Sequence, residues 1–367
     1  MTTYHFGFVI EQALGHVTHG QNLQRLVPQD AEVRPHWAFP TFPVTGWAAK
    51  IPLYKSNWTV RAGWRTRALL RQMARQTQLD ALFFHTQVTA VLNRDWLNRY
   101  PSVISLDATP LQYDELGAFY SHETGPAWLE RRKWLMNRDA FRAARHILAW
   151  TEWTKKGLVE GYEVRPDKVT VIPPGVDVAE WSRPQPRTLH DHPIKILFVG
   201  GNLERKGGLL LLEAFRALRP RYPIELHLVT KDSVAEEQGL FVYNNMQANS
   251  APLKQLYCDS DIFCLPTYGD CLPMVLSEAG AAALPVISTR VAGIPEIVQE
   301  GETGFLVEAG DAAAITHTLE TLITNPTLRL AMGDKATTLI ATRFDAQQNA
   351  TRLLTLLKQV ANKTSTK

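Results

Sequence analysis

Short apolar runs alternate with helical patterns along most of the chain, and this alternation restricts the possible folds more than any other feature. The runs are rich in β-branched and aromatic residues, and several are followed by stretches with helical periodicity. Strands that alternate with helices form parallel sheets. We predict an α/β chain with two doubly wound sheets, the first from Tyr4–Ile10, Ala81–Phe84, Val103–Leu106, His146–Trp150 and Val169–Ile172, and the second from Ile194–Gly200, Glu225–Thr230, Asp261–Leu265 and Pro285–Ser288.

The length of the chain indicates two domains, because 367 residues exceed what one hydrophobic core usually supports. A proline-rich, polar stretch from Ser182 to Pro193 separates the two sets of strands. We place one Rossmann-like domain at residues 1–185 and a second at residues 193–343. A terminal helix at residues 344–367 is expected to pack back on the first domain.

Basic residues are distributed unevenly. Residues 1–190 contain 23 Lys and Arg against 17 Asp and Glu, whereas residues 191–367 contain 16 against 19. Two stretches, 57–76 and 131–150, carry most of the excess and mix Arg with Trp, Leu and Met. They are either solvated faces of ordinary helices or surfaces that dock to an anionic membrane or lipid-linked acceptor. No nucleic-acid-binding module accompanies the charge, so nucleic acid is not an expected partner.

The sequence shows no signal for export or for a membrane span. No apolar run reaches the roughly 18 residues that a spanning helix needs, and the first residues lack the basic flank of a signal peptide. Cys258, Cys264 and Cys271 form no CxxC pair. We interpret them as small buried hydrophobic residues of a reduced, cytoplasmic protein, either free or peripheral at the inner face of the membrane.

Candidate site residues in the first half follow the carboxyl ends of strands, where parallel sheets bind ligands. Gly15 and His16 lie in a predicted loop before a helix expected to start near Gln21, and Gly15 would let a ligand approach the backbone. His85 ends one strand and Asp107 follows another, so both are expected at the same crevice. Turn chemistry at Gly15 and loop capping at the other positions are the alternatives.

Residues 268–296 predict a loop, a helix, a strand and a second loop. Pro273 stands where a helix takes its first residue, because its fixed φ suits that position and it has no N–H to leave unpaired. The free N–H groups at this helix end, those of Leu272, Met274 and Val275, can hold a phosphate.

Charged side chains surround this predicted anion site. Asp270 precedes the helix and Glu278 lies within it, and an anion beside two acids indicates a ligand with both phosphate and hydroxyl groups, such as a nucleotide sugar. Arg205 and Lys206 lie on the loop after the strand that starts at Ile194, where both can reach a phosphate. A solvated loop pair is the alternative for these two cations.

The second half resembles glycosyltransferase family 4. FVGGNLERKGG is similar to that family's phosphate-binding loop, LPTYGDCLPMVLSEAGAAALPVISTRVAGIPEIV to its acidic motif and following strand, and GETGFLVEAGD to its usual continuation. In the first half, ILAWTEWTKKGLVEGYEVRPDKVTVIPPGVDVAEW is similar to the family's segment before the second domain. These similarities run from about residue 80 to residue 345.

The resemblance implies the GT-B fold, in which two Rossmann-like domains face a central crevice, and a retaining hexosyltransferase. It implies that Arg205 and Lys206 bind the donor diphosphate, that Glu278 binds the ribose, and that Asp270 binds hydroxyls of the transferred sugar. The sequence has no DxD carboxylate cluster in a loop of the kind that holds a divalent ion on a nucleotide diphosphate, so we expect metal-independent activity and no cofactor.

The chain departs from the family pattern at two acidic positions: Asp270 replaces a usual Glu, and Asp107 replaces a common His. We expect Asp107 to contact the acceptor hydroxyl or to hold Thr109 and His85 in place. The catalytic candidates are therefore Asp107, His85 and Asp270, and the acceptor-side candidates are Gly15, His16 and Thr109.

The expected acceptor is a hydroxyl compound, either lipid-linked or a polysaccharide or glycolipid at the membrane surface. A sugar-nucleotide 2-epimerase of GT-B-like fold is the alternative enzyme, but it would need further acid/base carboxylates. A non-catalytic membrane or partner scaffold would keep the basic helices without needing Arg205, Lys206 and Glu278.

Overall fold

The chain forms two compact units, each with its own core. The computed structural model describes residues 3–13, 15–41, 43–44, 50, 54–55, 57–117, 125–187 and 192–362. The first unit comprises the residues up to Pro174 together with those from Ala346 onward, and the second comprises Gly175–Asp345. The last part of the chain therefore returns to the first unit.

The first unit contains a six-stranded sheet with the strand order β2-β1-β3-β4-β5-β6. Every neighbouring pair of strands in it is parallel. Its elements are β1 (Tyr4–Ile10), α1 (His16–Leu26), β2 (Val33–Ala38), α2 (Trp58–Gln76), β3 (Ala81–His85), α3 (Gln87–Ala90), α4 (Arg94–Arg99), β4 (Ser102–Leu106), α5 (Pro110–Glu115), α6 (Ala127–Ala143), β5 (His146–Ala149), α7 (Glu152–Lys156) and β6 (Val169–Val171).

The second unit contains another six-stranded parallel sheet, in the order β12-β11-β10-β7-β8-β9. Its elements are α8 (Val178–Trp181), β7 (Ile194–Val199), α9 (Gly208–Leu218), β8 (Ile224–Val229), β9 (Leu240–Tyr243), α10 (Ala251–Asp259), β10 (Ile262–Leu265), α11 (Met274–Ala281), β11 (Val286–Thr289), β12 (Gly304–Val307), α12 (Ala312–Thr324) and α13 (Pro326–Arg343). The final helix, α14 (Ala346–Asn362), belongs to the first unit.

Both sheets are buried on both faces at their centres. Every residue of β3 and β4 is buried, and so is every residue of β10 and β11. Central strands of a helix-covered parallel sheet are continuous apolar runs for this reason. The helix α14 contributes to the first core with eight buried residues, of which the large apolar ones are Leu353, Leu354, Leu357 and Val360.

The units meet in the chain at residues 174 and 175, earlier than the predicted boundary between residues 185 and 193. Residues 175–187 belong to the second unit because their side chains bind it. The ring of Trp181 packs edge-on against Tyr257, with ring centroids 5.2 Å apart. Residues 363–367, the end of the predicted terminal helix, lie outside the described residues.

Candidate functional site

Each sheet has one point at which the strand order reverses, and doubly wound sheets bind ligands beyond the strand ends at such points. In the first unit the reversal lies between β1 and β3, and in the second it lies between β7 and β10. After these strands come Gly15 and His16, where α1 begins, and the loops that contain Arg205, Lys206 and Asp270. The topology thus brings the predicted residues of each unit to one end of its sheet.

The loop between β7 and α9 is fixed by Gly207. Its φ is +74°, in the left-handed region that favours glycine, and a Cβ atom here would lie 1.9 Å from the carbonyl oxygen of Pro266. The backbone of Tyr268 donates to the carbonyl oxygen of Arg205 at 3.0 Å, which ties this loop to the one after β10. The cations at 205 and 206 are therefore positioned by two adjacent loops.

Asp270 lies between the two predicted phosphate ligands. Lys206 Nζ is 2.6 and 2.7 Å from its two carboxylate oxygens, and Arg205 Nη1 is 3.3 Å from Oδ1. Thr267 also donates its hydroxyl to Oδ2 at 2.7 Å. These four hydrogen bonds occupy the acceptor positions of the carboxylate. Asp270 therefore positions Lys206 in this structure, and it could accept from a sugar hydroxyl only if one of these four hydrogen bonds broke.

The helix α11 begins one residue later than predicted, at Met274, with Pro273 as its N-cap residue. Leu276 is the first residue of this turn whose N–H donates a backbone hydrogen bond, to the carbonyl oxygen of Pro273 at 3.1 Å. Among the described residues, the N–H groups of Leu272, Met274 and Val275 have no acceptor. They remain available to an anion at the positive end of the helix dipole.

Glu278 lies on α11 and is 7% exposed. Its Oε2 accepts a hydrogen bond of 2.8 Å from the hydroxyl of Tyr257 on α10. Burial raises the pKa of Glu278 to about 7, and the Tyr257 hydrogen bond and the charge of Lys254 oppose that rise. Its conversion between acid and carboxylate therefore falls near neutral pH. No pattern in the sequence predicts the contact of Tyr257 with Glu278.

In the first unit, His85 lies in a buried cluster with His16, His19 and Trp150. Its Nε2 is 3.1 Å from Nδ1 of His16, and its ring stacks on that of Trp150 with centroids 5.2 Å apart. Burial, together with His16 and His19, holds the pKa of His85 well below its usual value, and burial lowers that of His19 to about 3. Because the His85 ring is fully buried, a ligand from solvent would meet His16 first.

The prediction of a loop up to Gln21 is wrong, because α1 begins at His16. His16, His19, Leu23 and Leu26 are all buried, and their spacing places them on one helical face against the sheet. Gly15 is the N-cap residue, and a Cβ atom there would meet nothing within 4 Å. Its surroundings are open, as close approach of a ligand requires.

Asp107 and Thr109 have different surroundings at the end of β4. Asp107 Oδ2 accepts from the hydroxyl of Tyr113 at 2.9 Å, while the buried Oδ1 has no hydrogen-bond partner among the described residues. Thr109 is fully buried, and its hydroxyl and N–H form a reciprocal capping box with Gln112 at the start of α5. Thr109 therefore caps a helix, and Asp107 holds neither Thr109 nor His85 through the described contacts of its carboxylate.

A buried carboxylate that sequence reasoning missed, Glu11, follows β1. Its Oε1 accepts from the indole N–H of Trp58 at 2.6 Å, and its Oε2 accepts from the hydroxyl of Thr86. The backbone N–H of Glu11 donates to the carbonyl oxygen of His85 at 2.6 Å. Glu11 therefore joins α2 and the loop after β3 to the reversal point of the first sheet.

The structure divides the first basic stretch into two groups. Arg61 is buried and donates to the carbonyl oxygens of Tyr54 and Lys55, and Arg65 donates to the hydroxyl of Tyr54. Arg71 and Arg75 are exposed. The prediction of solvated faces thus holds for only part of α2. In the described part of the chain no helix could cross a membrane, and no three His, Cys, Asp or Glu side chains are grouped as metal ligands.

Comparison with known proteins agrees with the topology. The family model described as Glycosyltransferase Family 4 matches residues 18–180, and the model described as Glycosyl transferases group 1 matches residues 193–325. The D-inositol 3-phosphate glycosyltransferase of Corynebacterium efficiens is 30% identical over 227 residues, which are 55% of this chain and 53% of that protein. The chain thus spans about half the length of this relative.

Several solved structures match almost the whole chain, among them the two that follow. A glycosyltransferase from Rickettsia africae superposes with a TM-score of 0.73 at 15% identity, over 98% of this chain and 99% of that one. HepE from Anabaena, solved in complex with UDP, gives 0.72 at 16% identity, over 98% and 100%. These likenesses confirm the predicted GT-B class of fold, with two Rossmann-like units.

Proposed function

We propose that this chain, which belongs to glycosyltransferase family 4, transfers a sugar from a nucleotide-sugar donor to a hydroxyl group of an acceptor. The observation that carries the proposal is the joint position of Arg205, Lys206 and the N-terminus of α11 at the reversal point of the second sheet. Two cations and free N–H groups at one place suit a diphosphate. The complex of HepE with UDP supports a uridine diphosphate sugar as the first donor to try.

In the proposed reaction, the second unit stabilises the leaving diphosphate. Breaking the bond between the anomeric carbon and the phosphate oxygen places negative charge on that oxygen, which Arg205, Lys206 and the N–H groups of Met274 and Val275 would stabilise electrostatically. Glu278 would accept a hydrogen bond from a ribose hydroxyl. With this charge supplied by the protein, we expect turnover to persist in EDTA.

The first unit would hold the acceptor. Oδ1 of Asp107, which has no partner among the described residues, is a suitable acceptor for the proton of the attacking hydroxyl, and His85 would act as a positioning residue by holding His16. We expect attack from the face that the diphosphate leaves, with retention of configuration. Nuclear magnetic resonance of the product would show the anomeric configuration, and an inverted product would contradict this mechanism.

We further propose that the acceptor lies at the cytoplasmic face of an anionic membrane, as a glycolipid or a membrane-associated polysaccharide. The first turns of α6 support this: Trp128 is 68% exposed, and Arg131 and Arg132 are exposed beside it. Exposed Trp with adjacent Arg suits the interface of an anionic bilayer.

A thermal-shift panel of UDP-, GDP- and ADP-sugars tests the donor assignment, because a bound donor stabilises the folded protein by mass action. We expect one nucleotide class to raise the Tm, and no shift with any of them would contradict the proposal.

Incubation of the effective donor without acceptor distinguishes the 2-epimerase, which would invert the configuration at C2 of the sugar. An epimerase would need further acid/base carboxylates. In the second unit, however, Asp270 is bound to Lys206 and Glu278 to Tyr257, an arrangement that does not favour the epimerase.

A further inference from the structure

A continuous groove runs between α2 and α4 on the first unit. It consists of three adjoining cavities of about 470, 440 and 670 Å³. The first two share Arg67 and Arg71, and the last two share Arg75 and Arg99. From Trp64 to Arg75, α2 rises by about 16 Å, so the groove is long enough for several units of a linear chain.

The groove is strongly cationic. It is lined by four arginines and one carboxylate, Asp95, which pairs with Arg67. Within the described chain no carboxylate lies at ion-pair distance from Arg71, Arg75 or Arg99, and all three are exposed. Arg67, Arg71 and Arg75 follow each other at four-residue intervals, which places them about 6 Å apart along one helical face.

The far end of the groove lies away from the candidate catalytic residues of this unit. Its lining there includes Leu79 and Pro101, which lie within two residues of the starts of β3 and β4, whereas His85 and Asp107 lie at the carboxyl ends of these strands. A ligand in the groove therefore contacts the protein remotely from the group that reacts.

We propose that this groove binds an acidic polysaccharide, as the already assembled part of a growing acceptor chain. This inference rests on the proposed transferase function. Carboxylates of such a chain would pair with Arg71, Arg75 and Arg99, and the 58% exposed ring of Trp64 offers an apolar face to a sugar ring. The groove would hold the acceptor between transfers.

The shape of the groove favours a linear chain over a bilayer. The cavities adjoin one another along α2, and this elongated path fits a linear chain. Single-stranded nucleic acid stacks successive bases on several aromatic side chains, and Trp64 provides one such exposed ring in the groove. The ring of Trp96 is unsuitable because it is 6% exposed and stacks on Tyr100.

The experiment measures binding of the whole chain to oligogalacturonate, a linear polyuronate, by calorimetry at low salt. Neutral dextran, a single-stranded oligonucleotide and vesicles of phosphatidylglycerol with phosphatidylcholine serve as comparison ligands. The variant R71A/R75A removes two groove cations, and R131A/R132A removes two exposed arginines from α6 as the charge-matched control.

We expect R71A/R75A to weaken polyuronate binding roughly five- to tenfold, and added salt to weaken the wild type similarly. R131A/R132A should leave polyuronate binding unchanged and weaken binding to the vesicles. Equal losses in both variants, equal binding of dextran, or tighter binding of the oligonucleotide would each overturn the proposal. The donor thermal shift of R71A/R75A should match that of the wild type, so this result is separable from failure of the proposed function.

Discussion

At the scale of single residues, Lys206 binds the carboxylate of Asp270 at 2.6 Å, and we propose that it also binds the donor diphosphate. We expect K206A to lower kcat/KM by about 10²- to 10³-fold, because one cation directed at developing charge contributes about 3–4 kcal/mol to catalysis. Steady-state kinetics would measure this. K335A, which breaks an exposed pair with Glu302 in the same unit, is the matched control, and near-normal turnover of K206A would contradict the assignment.

Glu278 makes stability depend on pH. Its pKa rises from 4.5 to about 7 on folding, so the stability present below pH 4.5 is lost as the pH rises to 7. E278Q cannot ionise. We expect it to match the wild type at pH 4 and to exceed its free energy of unfolding by up to about 3 kcal/mol at pH 8. Urea denaturation at pH 4, 6 and 8 measures both, and a difference that does not vary with pH would refute the explanation.

Some of the site is predictable at this scale and some is not. Arg205, Lys206 and Asp270 lie in loops after strands, so their proximity follows from the sheet order. The contacts of Tyr257 and His19 do not follow in this way. Tyr257 lies 21 residues before Glu278 on another helix. The buried face of α1 consists largely of histidine and glycine, which give a weak apolar signal, so the sequence predicts a loop there.

At the scale of helices and strands, the side chain of Arg187 caps the C-terminal ends of two helices. It donates to the carbonyl oxygens of Tyr257 and Ser260 at the end of α10 and of Ala282 and Ala283 after α11. Burial lowers its pKa to about 10, so it stays protonated at neutral pH.

We expect R187M to destabilise the second unit by about 2–4 kcal/mol, because it leaves these carbonyl groups without their charged donor. Chemical denaturation monitors the loss. R183M, four residues earlier in the same segment, should change stability by less than about 0.5 kcal/mol. If both variants lose the same stability, general loosening of the segment explains the effect and capping does not.

The strands that the sequence did not predict are β2, β9 and β12, and each is at an edge of its sheet. Edge strands are buried less than central ones, so their apolar signal is weak. β2 contains Pro35, Arg34 and His36, and proline in a run argues against a strand. The central strands were predictable because burial on both faces makes them continuously apolar.

At the scale of the whole molecule, α14 connects the end of the described chain to the first unit. Leu357 is fully buried there, whereas its neighbour Lys358 forms partly exposed ion pairs with Asp30 and Glu32. We expect L357A to cost about 2–5 kcal/mol and K358A less than about 1 kcal/mol.

Thermal unfolding and limited proteolysis would test this difference, with new cleavage sites in L357A expected within the first unit. Equal losses in the two variants would contradict the view that α14 is part of that core.

The predicted domain boundary differs from the observed one because a proline-rich stretch indicates only that a helix or strand has ended. It does not show which unit binds the segment.

The return of α14 also sets an order of events during synthesis. A ribosome adds about 5–20 residues per second, so residues 346–362 emerge roughly 10–30 s after residue 174. All of residues 175–345 emerge in that interval and can fold while the earlier unit still lacks its last helix. The part of the protein that is translated first is thus completed last, and a chaperone that shields the uncovered face of its sheet would be needed only for that interval.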